Sequence, residues 1–354
     1  MKLALVRRSF SATGGAELYL QRLLGALRGA GHEVHLFAEH WTGAPEGVVL
    51  HEIPVRAPRS MRPRRFAEGV RRALQSDQYD CVFSLERTLK QDVYRAGDGV
   101  HRVWVERRRQ FGPWWRRLWI GGFHRAMMKL EQETFDPANT RFVIVNSKMV
   151  REEIAEHFGF PQEKVILIRN GVEVARMRNG DRVKTRNKFG FDDRDFVCLF
   201  AGSGWERKGL HYVVKAIQRL GGRAKLLVAG KGRPFPAGEN VVFAGPVREM
   251  EDLYAAADLF TFTPIYEPSA NVCFEALAAG LPVLTSQYNG ASELVTDSTL
   301  GAVLADPSDV NAIAAEIEQR MKRPQRVTVP ADLVSLDRNV QETLAVLEMA
   351  ANTR

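Results

Sequence analysis

Apolar runs of strand length alternate with amphipathic segments of helix length along nearly the whole chain, which predicts parallel sheets wrapped by helices. In the first half the strand-like runs are Leu3 to Arg7, Glu33 to Ala38, Val48 to Ile53, Cys81 to Ser84, Tyr94 to Ala96 and Phe142 to Val145. The clearest helix between them covers Ala16 to Ala30, where Leu20, Leu23, Leu24 and Leu27 share a face and Gly31 stops the run. Near Ile166 the pattern restarts: Ile166-Leu167-Ile168 enters the turn signal Arg169-Asn170-Gly171, and a polar, arginine-rich stretch continues to Arg194. The second half repeats the alternation, with strands at Phe196 to Ala201, Lys225 to Ala229, Val241 to Ala244, Leu259 to Thr263, Pro282 to Thr285 and Gly301 to Leu304. The expected fold is α/β, two Rossmann-like doubly wound domains facing across a cleft, with domains over residues 1–168 and 169–330. The last segment, 331–354, reads as a helix that in this architecture crosses back onto the first domain.

Two clusters of reactive residues fall at predicted strand ends of the second half. The run Glu267-Pro268-Ser269-Ala270-Asn271-Val272-Cys273-Phe274-Glu275 sets two carboxylates eight positions apart. A strand ends at Thr263, Pro264 breaks it, and Asn271 to Ala279 reads as a helix stopped by Gly280. Glu267 then lies on the loop and Glu275 one turn inside the helix. The helix N-terminus between them offers N–H groups to a diphosphate or to sugar hydroxyls. In the second cluster, Ala201 to Gly209, Arg207 and Lys208 stand at the entrance of the helix Leu210 to Leu220. Two cations there oppose the helix dipole, so a bound anion is the natural compensation.

Other segments carry weaker signals. Thr13-Gly14-Gly15 follows the first strand and opens a helix, so its backbone can face a phosphate. In Asp98-Gly99-Val100-His101, after another strand, Asp98 and His101 are both candidates, with plain turn residues the alternative. Gly230-Lys231-Gly232 and Gly245-Pro246-Val247-Arg248 end two strands of the second half. Asp193 and Asp195 make an Asp-x-Asp pair, but the run Asp192 to Asp195 fills a polar turn remote from the paired glutamates and reads as turn chemistry. The eight histidines show no ligand spacing, so no metal site is expected.

The Glu-x7-Glu spacing, followed by Ala276-Leu277-Ala278-Ala279-Gly280-Leu281-Pro282-Val283, resembles the signature of family 4 of the retaining glycosyltransferases, which have the GT-B architecture. The resemblance implies that Glu267 binds donor-sugar hydroxyls, that Glu275 binds the ribose, and that backbone N–H groups from Ser269 through Ala270 and Asn271 to Val272 hold sugar and phosphate. It makes Arg207 and Lys208 the pyrophosphate clamp, and Gly14 and Gly15 the pair that approaches the donor phosphate. Asp98 or His101 would touch the reactive sugar, and Gly230, Val247 and Arg248 would border the nucleobase. The first domain would face the acceptor and the second the nucleotide sugar, with no cofactor and no metal required.

Gly14-Gly15, Asp92-Val93-Tyr94, Arg207-Lys208-Gly209, Ala255-Ala256-Ala257-Asp258-Leu259 and Gly280 to Thr285 also resemble the lipopolysaccharide core glucosyltransferase I group. That likeness implies a hexosyltransferase using UDP-glucose on a glycolipid acceptor such as the inner core. The approach to the glycine pair, Arg7-Arg8-Ser9-Phe10-Ser11-Ala12-Thr13, departs from the aromatic-rich segment of that group and leaves the acceptor open. The alternatives are a sugar-nucleotide epimerase of the same architecture and a transferase making another cell-surface polysaccharide. A dinucleotide oxidoreductase lacks its Gly-x-Gly-x-x-Gly loop here. A non-catalytic binding protein sits poorly with two complete charged sets.

Charge sharpens the picture. Residues 1–165 hold 27 Lys and Arg against 19 Asp and Glu, while residues 166–354 hold 23 of each, so the whole excess of +8 lies in the first half. Much of it falls in Arg56 to Arg72 and Arg102 to Lys129, the second interleaved with Trp104, Trp114, Trp115 and Trp119. Cations mixed with tryptophan suit an anionic membrane surface. A solvated charged face is the plain alternative, and nucleic acid the less favoured one. Cys81, Cys198 and Cys273 show no paired spacing, which fits a reducing compartment. The opening apolar run is too short for a signal peptide, and no later stretch is long enough to span a bilayer. The expected location is the cytoplasm, at the inner face of the cytoplasmic membrane.

Overall fold

The computed structural model describes residues 1–9, 15–41, 47–118 and 120–353. Contacts divide the chain into two compact units, residues 1–169 with 337–354, and residues 170–336. Each unit is built on a parallel sheet. In the first, β1 (Lys2–Val6), β2 (Glu33–Ala38), β3 (Val48–Glu52), β4 (Cys81–Ser84), β5 (Gln91–Arg95), β6 (Thr140–Val145) and β7 (Val165–Leu167) lie in the order β3-β2-β1-β4-β5-β6-β7. In the second, β8 (Val197–Ala201), β9 (Lys225–Ala229), β10 (Val241–Gly245), β11 (Leu259–Phe262), β12 (Val283–Ser286) and β13 (Gly301–Leu304) lie in the order β10-β9-β8-β11-β12-β13.

The central strands are buried along their length, as strands covered by helices on both faces must be. In the first unit Ala4, Val6, Phe37, Phe66, Val70 and Val82 share a core. In the second, Leu199, Phe260 and Phe262 meet Leu210, Val213 and Ile217 of the helix Leu210–Arg219 and Phe274 of the helix Asn271–Ala278. β5 begins earlier than its apolar pattern, at Gln91, because buried polar partners replace apolar ones. Asp92 accepts from Val82 N at 2.9 Å and from Arg141 at 3.0 Å.

The polar stretch before Arg194 contains a helix, Arg182–Phe189, that apolar periodicity does not announce. Arginines fix it instead of an apolar stripe. The fully buried Arg186 guanidinium pairs with Asp258 at 2.7 Å and donates to the carbonyls of Ala256, Asp192 and Asp195. The terminal segment is two helices, Ala331–Val334 and Leu336–Asn352, rather than one. Ser335 between them is extended and bridges to Val172, and from Asp337 onward the chain packs in the first unit. There Arg141 donates to the carbonyls of Ala350 and Thr353, each at 3.0 Å.

Candidate active site

The second sheet changes winding direction at β8: the chain steps outward to β9 and β10 on one side, then returns to β11 and continues to β12 and β13 on the other. The segments leaving β8 and β11 therefore diverge to opposite faces, which is where open α/β sheets form their ligand crevice. Arg207 and Lys208 lie on the first of these segments and Glu267 on the second.

The two segments are tied together. Arg207 Nη2 lies 3.0 Å from Glu267 Oε2, and Ile265 N donates to the Arg207 carbonyl at 2.9 Å. Gly209, at φ 76°, turns the chain into its helix so close to β11 that a Cβ would stand 2.0 Å from the Thr263 carbonyl oxygen, which only glycine allows. Lys208 is enclosed, with Nζ 5.5 Å from the centre of the Phe262 ring. Burial pushes its pKa below the ordinary value; the Arg207 charge adds to this, and the fields of Glu267 and Glu275 oppose it.

The loop from Glu267 to Asn271 is held from behind. Glu267 N donates to Tyr288 O at 2.8 Å and Gly290 N donates to Glu267 O at 2.9 Å. The buried Asn289 side chain accepts from Ala270 N at 3.2 Å and Ala291 N at 3.1 Å, while its amide donates to Thr285 Oγ1 at 3.0 Å. Asn170 donates to Ser269 O at 3.0 Å and to Asn271 Oδ1 at 2.7 Å. With these groups engaged, the first turn of the helix directs the N–H groups of Asn271 and Val272 outward. Ser269 Oγ is buried and has no hydrogen-bond partner among the described residues. Glu275 accepts from the Tyr254 hydroxyl at 2.7 Å. Burial raises its pKa, against the effects of that hydrogen bond and of Arg176.

At the neighbouring strand ends, Gly230 N donates to Gly245 O at 2.8 Å, and Lys231 N donates to Ser203 Oγ at 3.0 Å. Val247 packs on the core, while Arg248 is exposed and its carbonyl accepts from Arg176 at 2.9 Å. Trp205, Phe235 and Phe243 form an aromatic group beside these loops, with ring centres 5.6–6.2 Å apart.

The remaining candidates belong to the first unit. Gly14 lies outside the described residues, and Gly15 opens the helix Gly15–Gly29. Asp98 is exposed on the turn Ala96 to Gly99. His101 begins the helix His101–Gln110, whose N-terminus is capped in a way the sequence does not advertise. The fully buried Glu131, on the helix Gly122–Thr134, accepts from His101 N at 2.7 Å and Arg102 N at 3.1 Å. Arg87 pairs with the same carboxylate at 2.9 Å. Burial, with the Arg87 charge next, pushes the His101 pKa down to about 3.

Asp192 and Asp195 serve their turn: Asp192 Oδ1 accepts from Arg194 N at 2.8 Å, and Asp195 pairs with Lys225 at 2.6 Å. Among the described residues no group of three or more His, Cys, Asp and Glu side chains could hold a metal ion.

Two family models match the chain, Glycosyltransferase Family 4 over residues 13–176 and Glycosyl transferases group 1 over residues 195–323. The lipopolysaccharide glucosyltransferase WaaG of Escherichia coli K12 is 25% identical over 314 residues, 83% of this chain and 82% of that protein. A crystal structure of WaaG, a glycosyltransferase involved in lipopolysaccharide biosynthesis, superposes with a TM-score of 0.78 at 22% identity, over 99% of both chains. That of Anabaena HepE in complex with UDP and glucose gives 0.71 at 19% identity, over 99% of this chain and all of that one. These structural likenesses fix the fold as GT-B.

Lys208 offers a test of the site's electrostatics. NMR of ε-labelled lysine is expected to show one ammonium titrating below the exposed lysines and assigned to Lys208 by its loss in Lys208→Met. Since Glu267 opposes the depression, Glu267→Gln should lower that pKa further; an upward or absent shift contradicts the coupling.

Proposed function

Because the chain belongs to the family 4 glycosyltransferases, we propose that it transfers a hexose, glucose from UDP-glucose as the leading choice, with retention of configuration and without metal, to a membrane-associated glycolipid such as the lipopolysaccharide inner core. The observation that carries the reading is the Arg207–Glu267 contact at 3.0 Å beside the enclosed Lys208, at the switch point of the second sheet. The name of the E. coli relative and the ligands of the HepE structure support glucose and UDP.

Cleaving the bond from sugar C1 to the diphosphate oxygen moves negative charge onto the leaving group. Arg207 and Lys208 provide fixed positive charge for it, each charge-assisted hydrogen bond contributing about 1.5–3 kcal/mol. Glu267 orients the sugar through its hydroxyls, assisted by Ser269 and the N–H groups of Asn271 and Val272. Glu275 keeps one oxygen for the ribose while Tyr254 holds the other. The acceptor hydroxyl attacks C1 from the face the diphosphate leaves, and its proton passes to a leaving-phosphate oxygen, with no covalent enzyme intermediate.

Membrane contact belongs to the same proposal. Trp114 and Trp115, on the short 3-10 segment Trp114–Arg117, and Leu118 directly after it are 71, 55 and 75% exposed, with Arg107, Arg108, Arg109, Arg116 and Arg125 near them in the chain. Three large apolar side chains among arginines match an anionic interface, where indoles sit at headgroup depth and guanidinium groups meet lipid phosphates. No described helix is long and apolar enough to cross a bilayer.

Two experiments follow. Incubation with a panel of nucleotide sugars in excess EDTA should release free nucleoside diphosphate, fastest from UDP-glucose, and Glu267→Gln should cut kcat/KM by about tenfold or more, roughly 1.4 kcal/mol. Release of epimerised sugar nucleotide, or complete dependence on added metal, contradicts the reading. In flotation assays the protein should bind phosphatidylglycerol vesicles and not phosphatidylcholine ones, more weakly at high salt. The Trp114→Ala/Trp115→Ala protein should bind less; equal binding by both proteins removes the membrane role from this segment.

A further inference from the structure

The first unit contains a chain of side chains that decides which nitrogen of His101 carries the proton. His101 and Arg108 stand seven residues apart on the helix His101–Gln110, two turns along one face. His124, from the helix Gly122–Thr134, reaches between them. Its Nδ1 lies 3.0 Å from His101 Nε2 and its Nε2 lies 3.1 Å from Arg108 Nη1. The two imidazoles meet edge to edge, ring centres 5.2 Å apart with planes inclined by 28°. Phe123 lies against both rings, edge-on to His101 at 6.2 Å and to His124 at 5.6 Å, and is itself covered by the Arg59 guanidinium at 5.7 Å.

An arginine only donates, so the direction of every bond in this chain is set. Arg108 donates to His124 Nε2, which must offer its lone pair. The His124 proton then resides on Nδ1 and is donated to His101 Nε2. His101, accepting at Nε2, carries its own proton on Nδ1, for which no described residue provides a hydrogen-bond partner. The surroundings disfavour protonation of both rings: burial lowers both pKa values, the Arg87 charge adds to this at His101 and the Arg108 and Arg59 charges at His124, and both carboxylate oxygens of Glu131 are occupied by backbone N–H groups and Arg87.

We propose that Arg108 and His124 are positioning residues that lock His101 as the neutral Nδ1–H tautomer, so that it presents a fixed hydrogen-bond donor to an oxygen of a sugar substrate. This rests on the functional reading above for the identity of the substrate, though not for the tautomer. In that role His101 gives no proton up. It supplies a directed N–H, preset before substrate arrives, and no acid–base step passes through it.

The test is long-range 15N–1H NMR of histidine-labelled full-length protein at neutral pH, which distinguishes protonated from unprotonated ring nitrogens. Wild type should show Nδ1–H for both His101 and His124, assigned by His101→Ala and His124→Phe. Arg108→Met should move His124, and with it His101, to a tautomer mixture, and Arg108→Lys, which keeps a donor, should restore the lock. Donor kcat/KM should fall about three- to tenfold in Arg108→Met, the scale of one hydrogen bond, and recover in Arg108→Lys. An Nε2–H signal for His101 in the wild type, or an unchanged spectrum in Arg108→Met, overturns the lock. A locked spectrum together with full donor turnover by His101→Ala leaves the tautomer standing and overturns the contact with the substrate.

Discussion

The second unit's candidate site turns on one electrostatic constraint, a largely enclosed ammonium ion at the carboxyl edge of a parallel sheet. Enclosing Lys208 against Phe262 costs hydration that nearby carboxylates return only in part. Glu267 is already ion-paired with Arg207, and Glu275 accepts a hydrogen bond from Tyr254. A dianionic group entering between the β8 and β11 segments would meet two cations and the N-terminal turn of a helix together. The sheet's change of winding direction supplies that place, and Gly209 lets the two segments approach closely enough to share it.

The first unit solves a related problem with the opposite sign. A fully buried carboxylate, Glu131, pairs with Arg87 and accepts from two N–H groups at the start of the helix His101–Gln110. That fixes the helix start, and so the place of His101 beside the turn bearing Asp98. The match is complete only in the first unit, where a helix end and one opposite charge serve the buried carboxylate; Lys208 in the second unit stands at a helix N-terminus, whose dipole opposes it.

Much of this was legible in the chain. The strand runs are continuous enough to reveal both sheets, and Arg207 and Glu267, singled out from the sequence as members of two separate clusters, do lie together, 3.0 Å apart. The supporting partners were not legible. Asn170, Tyr254, Asn289, Glu131, His124 and Arg87 are each distant in sequence from what they hold, and pairwise spacing carries no trace of such contacts. Polar burial misled the boundaries as well: Gln91 and Asp92 lengthen β5 because hydrogen bonds replace apolar packing, and the helix Arg182–Phe189 stands on the bonds made by Arg182 and Arg186 to carbonyls and Asp258. Gly14, central to the family resemblance, falls outside the described residues.

The most direct test of the central claim is calorimetric titration of UDP and of uridine into the wild-type protein and into Arg207→Ala and Lys208→Ala, in buffer containing EDTA. If the two cations receive the diphosphate, UDP affinity falls about tenfold or more in each variant while uridine affinity stays the same. Equal UDP affinity in all three proteins would contradict the account.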